Sequence, residues 1–220
     1  MDERAVLAEG ARALGVTLSS QQVDQLLRLL DELERWNRAY NLTSIDGRGE
    51  RITHHLLDSL SLHSLLSGTK VADVGTGAGF PGLPLAVVNP GRRFTLIDSN
   101  NKKVRFVGHA VRTLGLTNVM ATHERVESMK LDAPFDDVVA RAFAPLPQLL
   151  EKVAPLCGVG TRVLAMKGRN VHEEVRGVSA RWVVREVRTL VVPGINEERY
   201  VVVAGLAGGQ METHRPAQAS

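Results

Sequence analysis

Apolar positions recur at helical spacing through the first third of the chain and then give way to short strand-like runs. Val23, Leu26, Leu27, Leu30, Leu33, Trp36 and Tyr40 fall mostly three or four residues apart, which lays one apolar stripe along a helix. Ser19 and Gln22 precede that stripe with the spacing of a capping box, in which the two residues satisfy each other's free amides. A further helix is predicted from about Glu50 to Leu66, with Ile52, Leu56, Leu57, Leu60 and Leu65 facing inward. No strand pattern precedes Val71.

From Val71 the texture alternates. Strands are predicted at Val71–Val74, Phe94–Ile97, Val119–Thr122, Asp137–Ala140, Arg162–Met166, Val183–Val192 and Arg199–Ala204. Helices fill most of the gaps, among them Lys102–Leu114 and Pro145–Pro155. Strands separated by helices build a parallel sheet covered on both faces. The last two strands are joined only by the segment Pro193 to Glu198, too short for a crossover helix and suited to an antiparallel hairpin. The expected fold is α/β: a doubly wound, mostly parallel seven-stranded sheet with an antiparallel last strand. A helical extension covers residues 1–66, the sheet domain residues 67–206, and a small, polar tail expected to be disordered residues 207–220.

The first predicted strand runs into a glycine-dense turn, Val71-Ala-Asp-Val-Gly-Thr-Gly-Ala-Gly-Phe-Pro-Gly82. Nineteen residues beyond Gly79, the second strand ends on Asp98. Glycines allow close backbone approach to a ligand, and a carboxylate at the tip of the neighbouring strand accepts hydrogen bonds from ribose hydroxyls. Such turns serve dinucleotides and S-adenosylmethionine alike. Counted from Gly75 the spacing is G-x-G-x-G, with Phe80 where a dinucleotide site wants its third glycine; counted from Gly77, the run to Gly82 does fit G-x-G-x-x-G. Asp73 favours S-adenosylmethionine, since a carboxylate beside the turn suits a cationic amino group and repels a pyrophosphate. The hairpin ending is that of a class I methyltransferase, and no residues remain for the substrate domain of an NAD-dependent oxidoreductase, the rival enzyme. A nucleotide-binding protein without turnover is the rival from outside enzymology.

Composition narrows the setting. Of 220 residues, 44% are hydrophobic and 23% charged, ordinary for a globular chain. One cysteine, Cys157, excludes a disulfide framework and a cysteine-rich zinc cluster, and reads as a small buried hydrophobe. No apolar run approaches the roughly 20 residues that cross a bilayer, and Met1-Asp-Glu-Arg lacks a secretory pattern, so a cytoplasmic protein is expected; with no long flat edge or coiled-coil seam to suggest an obligate assembly, a monomer is expected. Residues 1–70 carry a net charge of −2 and residues 71–220 a net of +5, which permits a polyanionic partner without demanding one.

Several segments taken together resemble one family: Trp36-Asn-Arg-Ala-Tyr-Asn-Leu-Thr-Ser44, His55-Leu-Leu-Asp-Ser59, Asp73 to Gly82, Phe94-Thr-Leu-Ile-Asp-Ser99, Lys103-Val-Arg-Phe106, Arg125-Val-Glu127, Ala140-Arg-Ala-Phe143 and Met166-Lys-Gly168. The chain is similar in these, from about residue 30 to residue 203, to the bacterial small-subunit ribosomal RNA methyltransferase G family, formerly called glucose-inhibited division protein B. The resemblance implies methylation of guanine N7 in 16S rRNA, with S-adenosylmethionine as donor; the partner is 16S rRNA, free or within a small-subunit ribosomal particle. It implies cofactor contacts at Gly75 and Phe80, at Val126 and Glu127 beside the adenine, and at Arg141. Ala78 and Phe80 depart mildly from a loop that often carries proline and leucine in relatives.

Guanine N7 has a free lone pair at neutral pH, so the chemistry needs approach geometry and no general base; none is assigned. Asp73, Gly75, Gly77, Phe80, Asp98, Val126, Glu127 and Arg141 are thus the candidate cofactor residues. Arg141 has an alternative as a structural partner of Asp136 or Asp137. His55, by family position, and Lys167 and Arg199, by charge at the sheet's ligand-presenting edge, are candidate RNA contacts. His54 and His55 are adjacent and point to different helix faces, which makes them poor joint metal ligands; no metal is expected.

Overall fold

The computed structural model describes residues 2–208; the polar tail expected from residue 207 lies outside the described residues from 209 on. Helices α1 (Glu3–Ala13) and α2 (Ser20–Tyr40) open the chain. Asp2 caps α1 by accepting the Arg4 amide, and the reciprocal Ser19–Gln22 box forms in full. The buried stripe of α2 is Val23, Leu26, Leu29, Leu30 and Leu33, with Leu27 half-buried. Tyr40 is exposed and rests its ring 5.3 Å from Trp36, which meets Phe106 at 5.7 Å.

The single helix expected over Glu50–Leu66 is broken. In its place stand α3 (Arg48–Arg51), a π-helical turn (Ile52–Leu57), α4 (Asp58–Leu60) and a 3-10 turn (His63–Leu65). Ile52, Leu56, Leu57 and Leu60 are buried as the periodicity predicts, and Leu65 is half-buried. The wider turn falls where the His54 carbonyl accepts a hydrogen bond from Arg141 Nη1 at 2.7 Å. That long-range bond leaves no trace in local spacing. Isolated π-turns concentrate at functional sites.

The remainder follows the predicted alternation: β1 (Lys70–Val74), α5 (Gly82–Val88), β2 (Arg93–Asp98), α6 (Asn101–Leu114), β3 (Val119–His123), β4 (Asp137–Arg141), α7 (Leu146–Val153), β5 (Arg162–Lys167), α8 (Val171–Arg176), β6 (Trp182–Thr189) and β7 (Tyr200–Leu206). The strand order is β3-β2-β1-β4-β5-β7-β6. Strands β1 to β5 are parallel, and β7 lies antiparallel between β5 and β6. The seven-stranded, mostly parallel sheet expected from the sequence is therefore present, and β6 ends at Thr189, short of the expected Val192.

Strand periodicity sorts the core into two layers. Val71, Phe94 and Leu96 pack with the helices of residues 1–66 and with α5 and α6, whereas Ala72, Val74, Ile97 and Val138 pack with α7. The N-terminal helices thus share one apolar cluster with a face of the sheet. Polar bonds fasten the amino ends of the strands: Asp137 Oδ2 accepts the Ser67 and Gly68 amides at 2.9 Å, and its Oδ1 meets Arg162 Nη2 at 2.6 Å. Asp136 Oδ2 accepts the Thr69 and Lys70 amides at 2.7 and 2.8 Å. The order reverses between β1 and β4, and a crevice opens beside that point at the carboxyl ends, where doubly wound sheets hold ligands.

Candidate functional site

The glycine turn after β1 requires glycine. Gly75, Gly77 and Gly79 all have positive φ, at 65°, 60° and 85°, a region that side chains disfavour. A Cβ on Gly75 would also lie 2.2 Å from Phe143 Cδ2. The Gly75 and Thr76 amides donate to the Ile97 carbonyl at 2.9 and 3.1 Å, and the Gly77 amide donates to Asp98 Oδ2 at 2.9 Å. Asp98 Oδ1 accepts the Asn100 amide at 2.8 Å, and each oxygen keeps a further lone pair for a ligand hydroxyl.

Asp73 sits behind the turn rather than in the crevice. It is fully buried, and its Oδ2 accepts the Thr76 hydroxyl at 2.6 Å and the Gly82 amide at 2.8 Å. Oδ1 has no hydrogen-bond partner among the described residues. Burial pushes the carboxyl up to about 6, against the pull of those hydrogen bonds.

Two cavities meet above the sheet. The first, of about 260 Å³, is lined by Gly75, Asp98, Ser99, Lys103, residues 124–127, Ala142, Phe143 and Lys152, together with Val74 and Ile97. Val126 is buried in its wall. Glu127 pairs with Lys152 Nζ at 2.6 Å, and this hydrogen bond holds its carboxyl below the usual range. The second, of about 790 Å³, is lined by residues 42–45, His54, His55, Asp58, Arg141 to Pro145, Met166, Lys167, Gly168, Glu174 and Arg199. Ala142 and Phe143 line both.

The wall of the second cavity is an ordered charge cluster. Arg141 Nη1 donates to Asp58 Oδ2 at 2.9 Å as well as to the His54 carbonyl, and Arg199 Nε stands 3.5 Å from Asp58 Oδ1. Asp136 and Asp137, the structural partners considered for Arg141, are instead engaged at the amino end of the sheet. His55 is buried and stacks on Phe80, centroids 4.5 Å apart and planes 13° from parallel. The Arg141 guanidinium stands 5.6 Å from the same Phe80 ring. Burial, then the charges of Arg141 and Arg51, lower the His55 pKa to about 3, so the imidazole is neutral. Arg141 Nη2, which can only donate, faces Nδ1 at 3.4 Å; the proton therefore resides on Nε2, 2.9 Å from Thr43 Oγ1.

Of the residues singled out in the sequence, Gly75, Asp98, Val126 and Glu127 line the first cavity, and His55, Arg141, Lys167 and Arg199 line the second. Gly77 shapes the turn through Asp98. Phe80, expected in the cofactor loop, turns away from the first cavity onto His55. Lys167 is not free: Nζ donates to the Ala144 carbonyl at 2.6 Å and pairs with Glu174 at 2.7 Å. Sequence reasoning passed over Asp58, Phe143 and Lys152. The first two lie inside quoted segments, and their positions next to His55 and just past the tip of β4 were the available signal; Lys152 reaches the cavity from α7 through tertiary packing alone.

A seven-stranded sheet of this order, with a glycine turn past β1 and an acidic residue ending β2, defines a class I methyltransferase. The same fold appears in a SAM-dependent methyltransferase from Aquifex aeolicus, with TM-score 0.52, 21% identity, and 74% of this chain and 96% of that one covered. It appears again in a ribosomal protein L11 methylase from Lactobacillus delbrueckii, with TM-score 0.52, 14% identity, and 68% and 78% covered. The family model for rRNA small subunit methyltransferase G matches residues 22–202. The Methylococcus capsulatus protein named ribosomal RNA small subunit methyltransferase G is 46% identical over 196 residues, 89% of this chain and 95% of that one. Its namesake from Nitrosococcus oceani is 44% identical, over 90% and 92%. The chain belongs to the rRNA small subunit methyltransferase G family.

Proposed function

We propose that this protein transfers a methyl group from S-adenosylmethionine to guanine N7 in 16S rRNA. What carries the reading is the meeting of a nucleoside-sized crevice at the β1–β2 tips with a larger cationic cavity, in a chain of this family. The first cavity suits the donor. Asp98 offers lone pairs to two ribose hydroxyls, Val126 gives the adenine an apolar wall, and Gly75 keeps the backbone low at the cavity's edge.

S-adenosylmethionine supplies an electrophilic methyl carbon when bound. The protein's own task is then placement. Guanine N7 needs no deprotonation, which agrees with the neutral, fully engaged His55. Asp58 fixes Arg141 and Arg199 on the second cavity's wall, where their charge favours an RNA phosphate. Asp73 stabilises the turn from beneath and makes no contact with the crevice.

Small ribosomal subunits incubated with the protein and labelled S-adenosylmethionine should gain one methyl per 16S rRNA, mapped by mass spectrometry to guanine N7. Asp98→Ala should weaken donor binding about 10- to 100-fold by calorimetry, as expected for loss of charge-assisted hydrogen bonds. Label on another atom, or none, would refute the assignment.

A further inference from the structure

Resting on that reading of the two cavities, we propose that Phe143 is the platform on which the acceptor purine stacks and against which the transferred charge is stabilised. Ala142 and Phe143 are, among the described residues, the pair lining both cavities, so a methyl group passing from one to the other must pass this ring. The ring's edge rests on Gly75, as the 2.2 Å approach of a Gly75 Cβ shows. Lys152 Nζ stands 5.7 Å from the ring centroid and lines the first cavity alone, so the surface that it covers fronts the donor side. The ring is half-buried against the apolar cluster that includes α7, and part of its exposed surface also fronts the second cavity. Ala142, which aims the ring, has φ of 50°, a left-handed conformation rare for alanine and characteristic of functional sites.

The chemistry gives an aromatic ring a reason to stand there. In the transfer, the N7 lone pair forms the new N–C bond while the S–C bond breaks and its electron pair returns to sulfur. The positive charge leaves the sulfur and enters the purine. A stacked π face attracts a cationic ring system more strongly than a neutral one, so the platform favours the transition state over the bound substrate. Stacking also fixes the base plane, which in-line attack requires.

The test compares Phe143→Tyr, Phe143→Leu and Phe143→Ala in the full chain. Donor affinity is read by calorimetry with S-adenosylhomocysteine, methyl transfer to small subunits by single turnover, and folding by thermal melting. Phe143→Tyr should transfer within a few-fold of the unsubstituted protein. Phe143→Leu, which keeps apolar bulk without a π face, should lose roughly 10- to 100-fold in transfer rate. Its loss in donor affinity should be at least about tenfold smaller than its loss in rate. Phe143→Leu transferring at the unsubstituted rate would overturn the proposal, and so would parallel losses of rate and donor affinity, which would make the ring a wall of the donor crevice. Absence of transfer by the unsubstituted protein would instead overturn the assignment of function itself.

Discussion

His55 is a neutral imidazole wedged between an arginine, a threonine hydroxyl and a phenylalanine ring, and acid should tell on it. In the unfolded chain it titrates near 6.5; in the folded protein it stays neutral down to about 3. Between those values the unfolded state holds the extra proton. The stability drawn from this residue is thus complete above pH 6.5 and declines by about 1.4 kcal/mol per pH unit below it. Asp73 acts in the opposite sense. Its carboxyl is raised from 3.8 to about 6, so its contribution is present below 3.8 and is lost as pH rises through 6. Between about pH 4 and 6 the two offset each other, and a substitution is needed to separate them. The difference in unfolding free energy between the unsubstituted protein and His55→Gln should shrink by about 2 kcal/mol from pH 7 to pH 5, measured by urea denaturation. A constant difference would show that the imidazole titrates in the fold as it does in the unfolded chain.

Elements are held in place here by side chains from distant strands. Asp137 closes the amino end of β4 onto the approach to β1 and onto Arg162, with no exposure to solvent. Asp137→Ala leaves two amides unpaired and a half-buried guanidinium with the Leu65 carbonyl but without its carboxylate, and should cost about 3–5 kcal/mol, seen as a lowered urea midpoint. Such ties explain which parts of the molecule were legible in the sequence. Strand positions, the hairpin and the capping box depend on local spacing, and all were readable. Asp98 and the glycine turn were readable because a strand tip next to a turn is itself local. The π-turn, the Asp58–Arg141–Arg199 cluster and the reach of Lys152 depend on partners far along the chain. Arg141 is separated from His54 by 87 positions, and no periodicity carries that bond. Phe80 shows the same limit: its place in the loop was plain, but its direction was set by His55.

On the scale of the whole molecule, the helices of residues 1–66 and one face of the sheet are a single apolar mass. Leu7, Leu26, Leu30, Ile52 and Leu57 are buried in the same cluster as Phe94, Leu96 and Phe106. Removing residues 1–66 would strip one side of the sheet, exposing several large side chains that each contribute about 1.5–3 kcal/mol on burial. A chain beginning at residue 67 should therefore show no cooperative thermal transition; one that melted sharply and bound S-adenosylmethionine would disprove the shared core.

The continuous core has a genetic consequence. Inherited changes that silence such a protein need not map near the crevice: a polar replacement at Leu7 or Leu30 would deplete the folded population and leave ribosomes unmodified as surely as the loss of Asp98. Loss-of-function changes would then scatter along the coding sequence, with a dense share in its first third.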